Sequence, residues 1–401
     1  MHRGMNALFP SFTLGRPAGR GQARRMTLQP SAPSPVIVRA GDSAEFLSLI
    51  PHLAGCHPRD SVVLVPFADK RTLGALRVDL PGADEPDPAE LAASFIGLFT
   101  RVRHANRIAI VVYTEDGYRD ERGRIARATF VEALVRCAEA ADYAVVDALC
   151  VAADAWGSYL EPDGPYSGSP LDLIRPEDLD FGDGAPLADQ HAGLELPPSD
   201  ADERERVAQA IRALTLNPAD PELPLAFEDA VTSDVELSTE ALALLVLALE
   251  RPAARDIALS QWCGDLAEGR EVQQFNVSWL EGTASDFRGP LRLAGEGPRP
   301  DPVRLRRALE VTKKVASVAP PRLRTGVLAS TAWLCWALGS STHAAHYVRL
   351  AQEINSAHGL ANIVATMIRH AHLPSWALDR AIPGPPPKNR DERRRWAKSR
   401  R

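Results

Sequence analysis

The densest group of reactive side-chain types lies in "LAGCHPRDSVVLVPF", Leu53–Phe67, where Cys56, His57, Asp60 and Ser61 precede an apolar run. A Cys–His nucleophile pair must bring sulfur and imidazole within hydrogen-bond reach. Neighbours along the chain such as Cys56 and His57 point apart, so adjacency does not help. Pro58 fixes φ for the second position of a turn, and Asp60 and Ser61 are turn and strand-entry residues. The stretch reads as a helix-to-strand turn, with His57 alone left to project at a sheet edge as a ligand contact.

Three other places offer chemistry. In "YTEDGY", Glu115 and Asp116 follow the apolar strand pattern "RIAIVVY". At the carboxyl end of a parallel strand, paired carboxylates could bind a cation or serve as acid and base. The plainer reading is a solvated loop. In "RVDLP", Arg77 and Asp79 share one face of a strand and could hold a polar ligand, or only an ion pair. In "WGSYLEPDGPYSG", Trp156, Tyr159 and Tyr166 could line a small-molecule pocket or pin the loop onto the fold. His343 and His346 share a helix face, but no third metal ligand or H-E-x-x-H pattern accompanies them. No P-loop, no G-x-G-x-x-G after a strand and no G-x-S-x-G elbow is present, which weighs against the commonest nucleotide-binding and hydrolase classes. The sequence names no catalytic residue, metal or cofactor.

These residues need elements to position them. Asp42 and Glu45 form a capping-box pattern ahead of Phe46, Leu49, Ile50 and Leu53, an amphipathic helix that Pro51 and Gly55 limit. Val36–Val38 reads as a short strand before it. "SVVLVPFADKRTLGALRVDLP" is a hairpin. "RIAIVVY" and "YAVVDALCVA" are strands apolar on both faces, separated by helical patterns. The expected fold is an α/β layered domain over residues 35–175, with a mostly buried mixed sheet and helices. An acidic segment rich in Pro, Gly and Asp, residues 176–202, reads as a linker. An all-α helical-hairpin domain over 203–382 follows. Within it, Val327–Leu338 is apolar almost all round, hence an interior helix, and the stretch near 327–358 has the texture of a tetratricopeptide-like hairpin.

Composition sets the frame. Across 401 residues the chain is 45% hydrophobic and 24% charged with a net charge of −6, an ordinary globular balance with no global pull on nucleic acid or anionic lipid. Its five cysteines are widely spaced and lack C-x-x-C, which suits free buried thiols in a reducing cytoplasm. The longest near-unbroken apolar run, Ala241–Leu249, is far shorter than the about 20 residues a membrane span needs. Residues 1–34 read as a disordered basic leader, with Met26 a possible alternative start. Residues 383–401 read as a disordered basic tail with eight basic and two acidic side chains from Pro383 on.

On "PHLAGCHPRDSVVLV…LGALRVDLP", "IAIVVYTEDG", "WGSYLEPDGPYSGSPL", "ERPAARDIALSQW" and "LASTAWLCWALGSSTHAAHYVRLA", the chain resembles an uncharacterised actinobacterial family, domain of unknown function 4192. The resemblance spans roughly residues 35–380. It implies a bacterial cytoplasmic protein with an α/β half followed by helices, and no assigned activity. Members usually carry Phe where this chain has Cys56, so the resemblance makes Cys56 a packing residue. Many members also carry cysteines in the loop matching "WGSYLEPDGPYSGSPL", where this chain has none.

The leading expectation is a non-enzymatic binding or scaffold protein whose helical half engages a protein partner or a second copy. The rival is a small-ligand binder or enzyme using the loops 114–118 and 156–169, with Glu115, Asp116, Trp156, Tyr159, Arg77, Asp79 and His57 as candidate contacts. A third reading gives the basic tail electrostatic contact with nucleic acid, Trp396 stacking on a base.

Overall fold

The first helix, α1 (Ser43–Ala54), starts as the capping-box pattern requires. The Asp42 carboxylate accepts from the Glu45 backbone N–H at 2.8 Å, and the Glu45 carboxylate reaches back to the Gly41 N–H at 2.6 Å. Gly55 ends it in the left-handed conformation, φ 77°. The structure, a computed structural model, describes residues 41–80, 87–161, 163–179, 185–216, 222–283, 287 and 289–378. The expected strand at Val36–Val38, the leader and the basic tail lie outside the described residues.

A mixed sheet follows, built from β1 (Ser61–Ala68), β2 (Arg71–Thr72), β3 (Leu76–Asp79), β4 (Arg107–Tyr113), β5 (Ala144–Val151) and β6 (Trp156–Ser158). The order is β2-β1-β4-β5-β6, with β3 continuing the β2 edge along β1. β1 runs antiparallel to β2, β3 and β4, while β4 and β5 are parallel. The hairpin expected from "SVVLVPFADKRTLGALRVDLP" is β1 with β2 and β3. Helices α2 (Pro88–Phe99) and α3 (Ala128–Ala140) lie against one face, α3 being the crossover that joins the parallel pair.

Side-chain alternation shows why both faces are apolar. Val62, Leu64, Ile108, Ile110 and Val112 pack with Phe95, Phe99, Phe130 and Leu134 of α2 and α3. Val63, Val65, Ala109, Val111 and Leu149 pack with Leu47 and Ile50 of α1. The sheet is a middle layer covered on both sides.

The second half is helical: α4 (Ala201–Leu216), α5 (Leu223–Thr232), α6 (Thr239–Glu250), α7 (Pro252–Cys263), α8 (Leu266–Leu280), α9 (Pro302–Val318), α10 (Thr325–Ala337), α11 (Ser341–Ile354), α12 (Gly359–Arg369) and a last turn, α13 (Ser375–Leu378). All 13 residues of α10 are buried, as expected of the interior helix. α10 and α11 pack as the helical hairpin. Four buried tryptophans each give their indole N–H to a main-chain carbonyl: Trp262 to Phe227, Trp333 to Leu293, Trp336 to His372 and Trp376 to Ala337. No described helix is long and apolar enough to cross a membrane.

The described residues fall within one compact unit. Of the acidic segment, the stretch 185–202 runs along the fold as a strap. Leu187 pairs with Cys56 through two main-chain hydrogen bonds, His57 N–H to Leu187 at 2.9 Å and Leu187 N–H to Gly55 at 3.1 Å. Farther on, Lys313 Nζ donates to the Gly193 carbonyl, the Tyr347 hydroxyl to that of Leu194, and Ser199 Oγ to that of Ser317. Its acidic, Pro- and Gly-rich composition signals solvent exposure, while its fixing comes from backbone groups that composition does not display.

Two expectations follow. A Cβ on Gly326 would lie 2.3 Å from the Leu249 carbonyl oxygen and 2.8 Å from the Glu250 Cα, both main chain. Alanine gains about 1 kcal/mol of helix propensity over glycine. Here it must push α10 off α6, so Gly326→Ala is expected to destabilise by about 1–3 kcal/mol net in denaturant titration.

The second concerns pH. Burial lowers the pKa of His343, reinforced by the neighbouring Lys313, His191 and His346 charges; burial and Arg255 lower that of His358. The unfolded chain therefore binds protons on these rings at a higher pH than the folded chain does. Stability should be flat above about pH 7 and fall as pH drops below about 6.5. Melting temperatures across pH 5–8, compared between the wild type and His343→Asn, check the sign; the variant should show the shallower fall.

Candidate functional site

The antiparallel pairing of β1 with β4 decides what meets at the carboxyl end of β4. Ser61 is in register with Tyr113, so the turn before β1 lies beside the loop after β4. The Glu115 carboxylate is engaged there by the Arg59 guanidinium, and its main-chain N–H donates to the Asp60 carboxylate at 3.1 Å. Asp116 turns the other way. It accepts from Arg127 at 3.0 Å and from the Thr114 hydroxyl at 3.1 Å. The two carboxylates are thus neutralised by separate arginines and do not converge on one centre.

The aromatic loop is fixed to the sheet. Trp156 opens β6, and its indole donates to the Pro170 carbonyl at 2.9 Å. The Tyr159 hydroxyl donates to the Ala126 carbonyl at 2.6 Å, and burial raises its pKa well above the usual phenol value. Arg119 sits between the rings of Tyr118 and Tyr166, 5.0 and 4.6 Å from their centroids. Tyr118 covers Gly157 so closely that a Cβ there would lie 2.1 Å from its hydroxyl oxygen. The loops 114–118 and 156–169 therefore pack on one another.

Arg77 and Asp79 form an ion pair along β3 at 2.5 Å. Arg77 also donates to Ser61 Oγ at 3.0 Å and to the Thr342 hydroxyl of α11 at 2.5 Å, so its role is to join the sheet to the helical half. His343 and His346 share the α11 face, half-buried. Among the described residues no group of three or more His, Cys, Asp or Glu is drawn together as a metal set would be.

The cysteines behave as apolar residues. Burial raises the thiol pKa of Cys56, with Arg77 only partly opposing it. Burial pushes Cys150 up to about 11, and Cys263 and Cys335 to about 12. None of these four is an activated thiolate.

His57 borders a cleft. On the α1 side of the sheet, a cleft of about 250 Å³ lies between Leu47 and Pro51 of α1, Tyr113 and Val151 at the ends of β4 and β5, and the segment Leu171–Pro176, with His57 and Pro58 at one end. That segment is held over the cleft by three contacts. Trp156 bonds Pro170, the Arg175 N–H donates to Ser48 Oγ at 2.8 Å, and His52 Nε2 meets the Pro176 carbonyl at 2.9 Å. Tyr113, the last residue of "RIAIVVY", was not among the sequence candidates. Its signal was present as a polar-tipped aromatic closing a buried strand.

A second feature lies in the helical half. Gly269 is the one buried residue of α8. Beyond it, Val277, Trp279 and Leu280 are 49%, 69% and 81% exposed. Phe275 stands one turn before Trp279, ring centroids 6.3 Å apart, and meets Phe287 edge-on at 5.1 Å. The sequence carries this as "FNVSWL", an aromatic pair at i, i+4.

The model of the family described as Domain of unknown function (DUF4192) matches residues 44–178. That stretch is similar to the family. The match covers α1 through the segment roofing the cleft, and the helical half lies beyond it. No curated protein and no solved structure matches the chain.

Native-state alkylation followed by mass spectrometry should label the half-buried Cys137 first. For Cys150, the rise from 9 to about 11 leaves about a hundredth of the ordinary thiolate. Cys56, Cys150, Cys263 and Cys335 should react only on unfolding.

Proposed function

We propose that this protein is a binding or scaffold protein whose helical half engages a partner protein through the outer face of α8. The observation that carries the reading is the exposure of Val277, Trp279 and Leu280 on one helix whose amino-terminal half is anchored. The anchor is specific. Arg292, almost fully buried, makes a two-pronged pair with Glu268 at 2.8 and 3.0 Å. The carboxyl-terminal half is thereby presented on a fixed base.

Exposed apolar area carries a cost of about 25 cal/mol per Å² in water, recovered when a partner covers it. Tryptophan is the side chain most enriched among residues that dominate interface energetics. The aromatic set Phe275, Trp279 and Phe287 is held together before any partner arrives, so little side-chain freedom remains to be lost on binding. The exposed Glu271 lies one turn before Phe275 and the exposed Glu281 follows Leu280, which favours a partner with basic groups beside its apolar surface. The arginine-paired Glu115 and Asp116 and the raised thiols support a binding role over a catalytic one. The nucleic-acid reading rests on the basic tail, outside the described residues.

The double variant Trp279→Ser with Leu280→Ser should keep the wild-type melt and lose partner capture by about thirtyfold or more, the equivalent of about 2 kcal/mol. Hydrogen exchange on the wild-type complex should show protection across residues 270–282. Partner capture that survives the double variant would sink this reading. A shift in sedimentation showing that the wild type pairs with itself, lost in the variant, would make the partner a second copy.

A further inference from the structure

The cleft beside His57 has a composition that selects its ligand. Leu47, Pro51, Pro58, Val151, Leu171, Ile174 and Pro176 give it a mainly apolar lining. No carboxylate, ammonium, guanidinium or thiol is among the lining residues, so nothing there would balance a metal ion, a phosphate or a charged amino acid. Two polar groups remain. The His57 imidazole is exposed at the mouth, its backbone fixed by the hydrogen bond to Leu187. The Tyr113 hydroxyl lies at the end of β4, and among the described residues it has no hydrogen-bond partner. Burial raises its pKa, so it is a neutral donor and acceptor.

Size narrows the class further. An apolar cavity of about 150 Å³ suffices for benzene, whereas sites for drug-sized molecules begin near 300 Å³. About 250 Å³ therefore suits one ring with a substituent or two fused rings. The walls differ in structure. Val151 and Tyr113 sit on the two parallel strands at the sheet's middle, while Leu171–Pro176 runs from one 3-10 turn, Leu171–Leu173, to the start of a second at Pro176 and is tied by the Trp156, Ser48 and His52 contacts.

We infer that this cleft is a binding site for a small, uncharged, mainly apolar ring compound whose single polar atom bonds the Tyr113 hydroxyl, with His57 at the entrance. The site is independent of the α8 face and belongs to the α/β half that the family match covers. It also gives Trp156 a function as a positioning residue, since its indole holds the roof by way of Pro170.

Saturation-transfer NMR on the full chain tests this with two probes, p-cresol and toluene, which share a shape and differ by one hydroxyl. Wild type should show transfer to both, with p-cresol the tighter. Tyr113→Phe should weaken p-cresol two- to tenfold and leave toluene unchanged. Val151→Trp should fill the cleft and abolish both signals; where that variant loses its cooperative melt, Ile174→Trp on the roof serves the same purpose. Absence of transfer to either probe in the wild type, or undiminished transfer in a folded Trp variant, overturns the site. Equal p-cresol binding in wild type and Tyr113→Phe overturns the role of the hydroxyl. None of these variants touches α8, so failure here is separable from failure of the partner reading.

Discussion

Everything in the helical half is arranged around a helix with no solvent face. α10 has 13 buried residues out of 13, among them Trp333 and Trp336. A helix apolar all round is stable in water only when other elements surround it. α6, α9, α11 and α12 do so, and the tightest approach sets the geometry. At Gly326 the backbone of α10 meets the backbone of α6, and the Glu250 carboxylate accepts the Gly326 N–H at 2.6 Å. That hydrogen bond satisfies an orphan donor at the start of α10. The indoles that cannot avoid burial are aimed at carbonyls of the surrounding segments, which fixes the Arg292–Ala294 turn and the chain after α12.

The same constraint reaches the α/β half through α11. Packed on α10, α11 places Thr342 against Arg77 of β3 and Tyr347 under the strap at Leu194. The strap then continues back to Leu187, where it pairs with Cys56 and fixes the backbone of His57. A continuous set of hydrogen bonds thus runs from the interior helix hairpin to the mouth of the cleft. Contiguity of this kind fixes positions; it is not by itself evidence of coupling between the ends.

Much of this was legible in the sequence, and the reasons are specific. The hairpin, the two-faced strands and α10 were readable because their apolar patterns are strong and periodic. The capping box at Asp42 and Glu45 was readable because that side-chain chemistry is local. What could not be read depends on neighbours far along the chain. Glu115 and Asp116 look paired in sequence, yet antiparallel β1 delivers Arg59 to one and α3 brings Arg127 to the other. Trp156 looks like a loop aromatic, yet it forms an edge strand with β5. Residues 185–202 look like a tether because their apolar residues, such as Leu187, Leu194 and Leu196, are too sparse to register as a period. Ile363 stands between the buried Leu360 and Val364 at a spacing that suits their stripe, yet it is half exposed on α12.

The cluster from Cys56 to Ser61 shows how tertiary pairing reassigns residue types. Asp60 takes φ 37° and caps the Glu115 N–H, Ser61 donates to the Arg59 carbonyl, and Cys56 is sealed against Leu187. Three of the four reactive types are spent on making one sharp turn between α1 and β1. The turn has to be sharp because α1 must lie back across the sheet that β1 enters, which is what leaves a gap between Pro51 and Tyr113. Pro51 keeps that gap from closing with ordinary helix. It has no N–H to return to the Leu47 carbonyl, and its ring stands on the cleft wall beside Leu47. The cleft is therefore a consequence of how the chain reverses at Gly55. The residues that looked catalytic are the ones that hold the reversal in place.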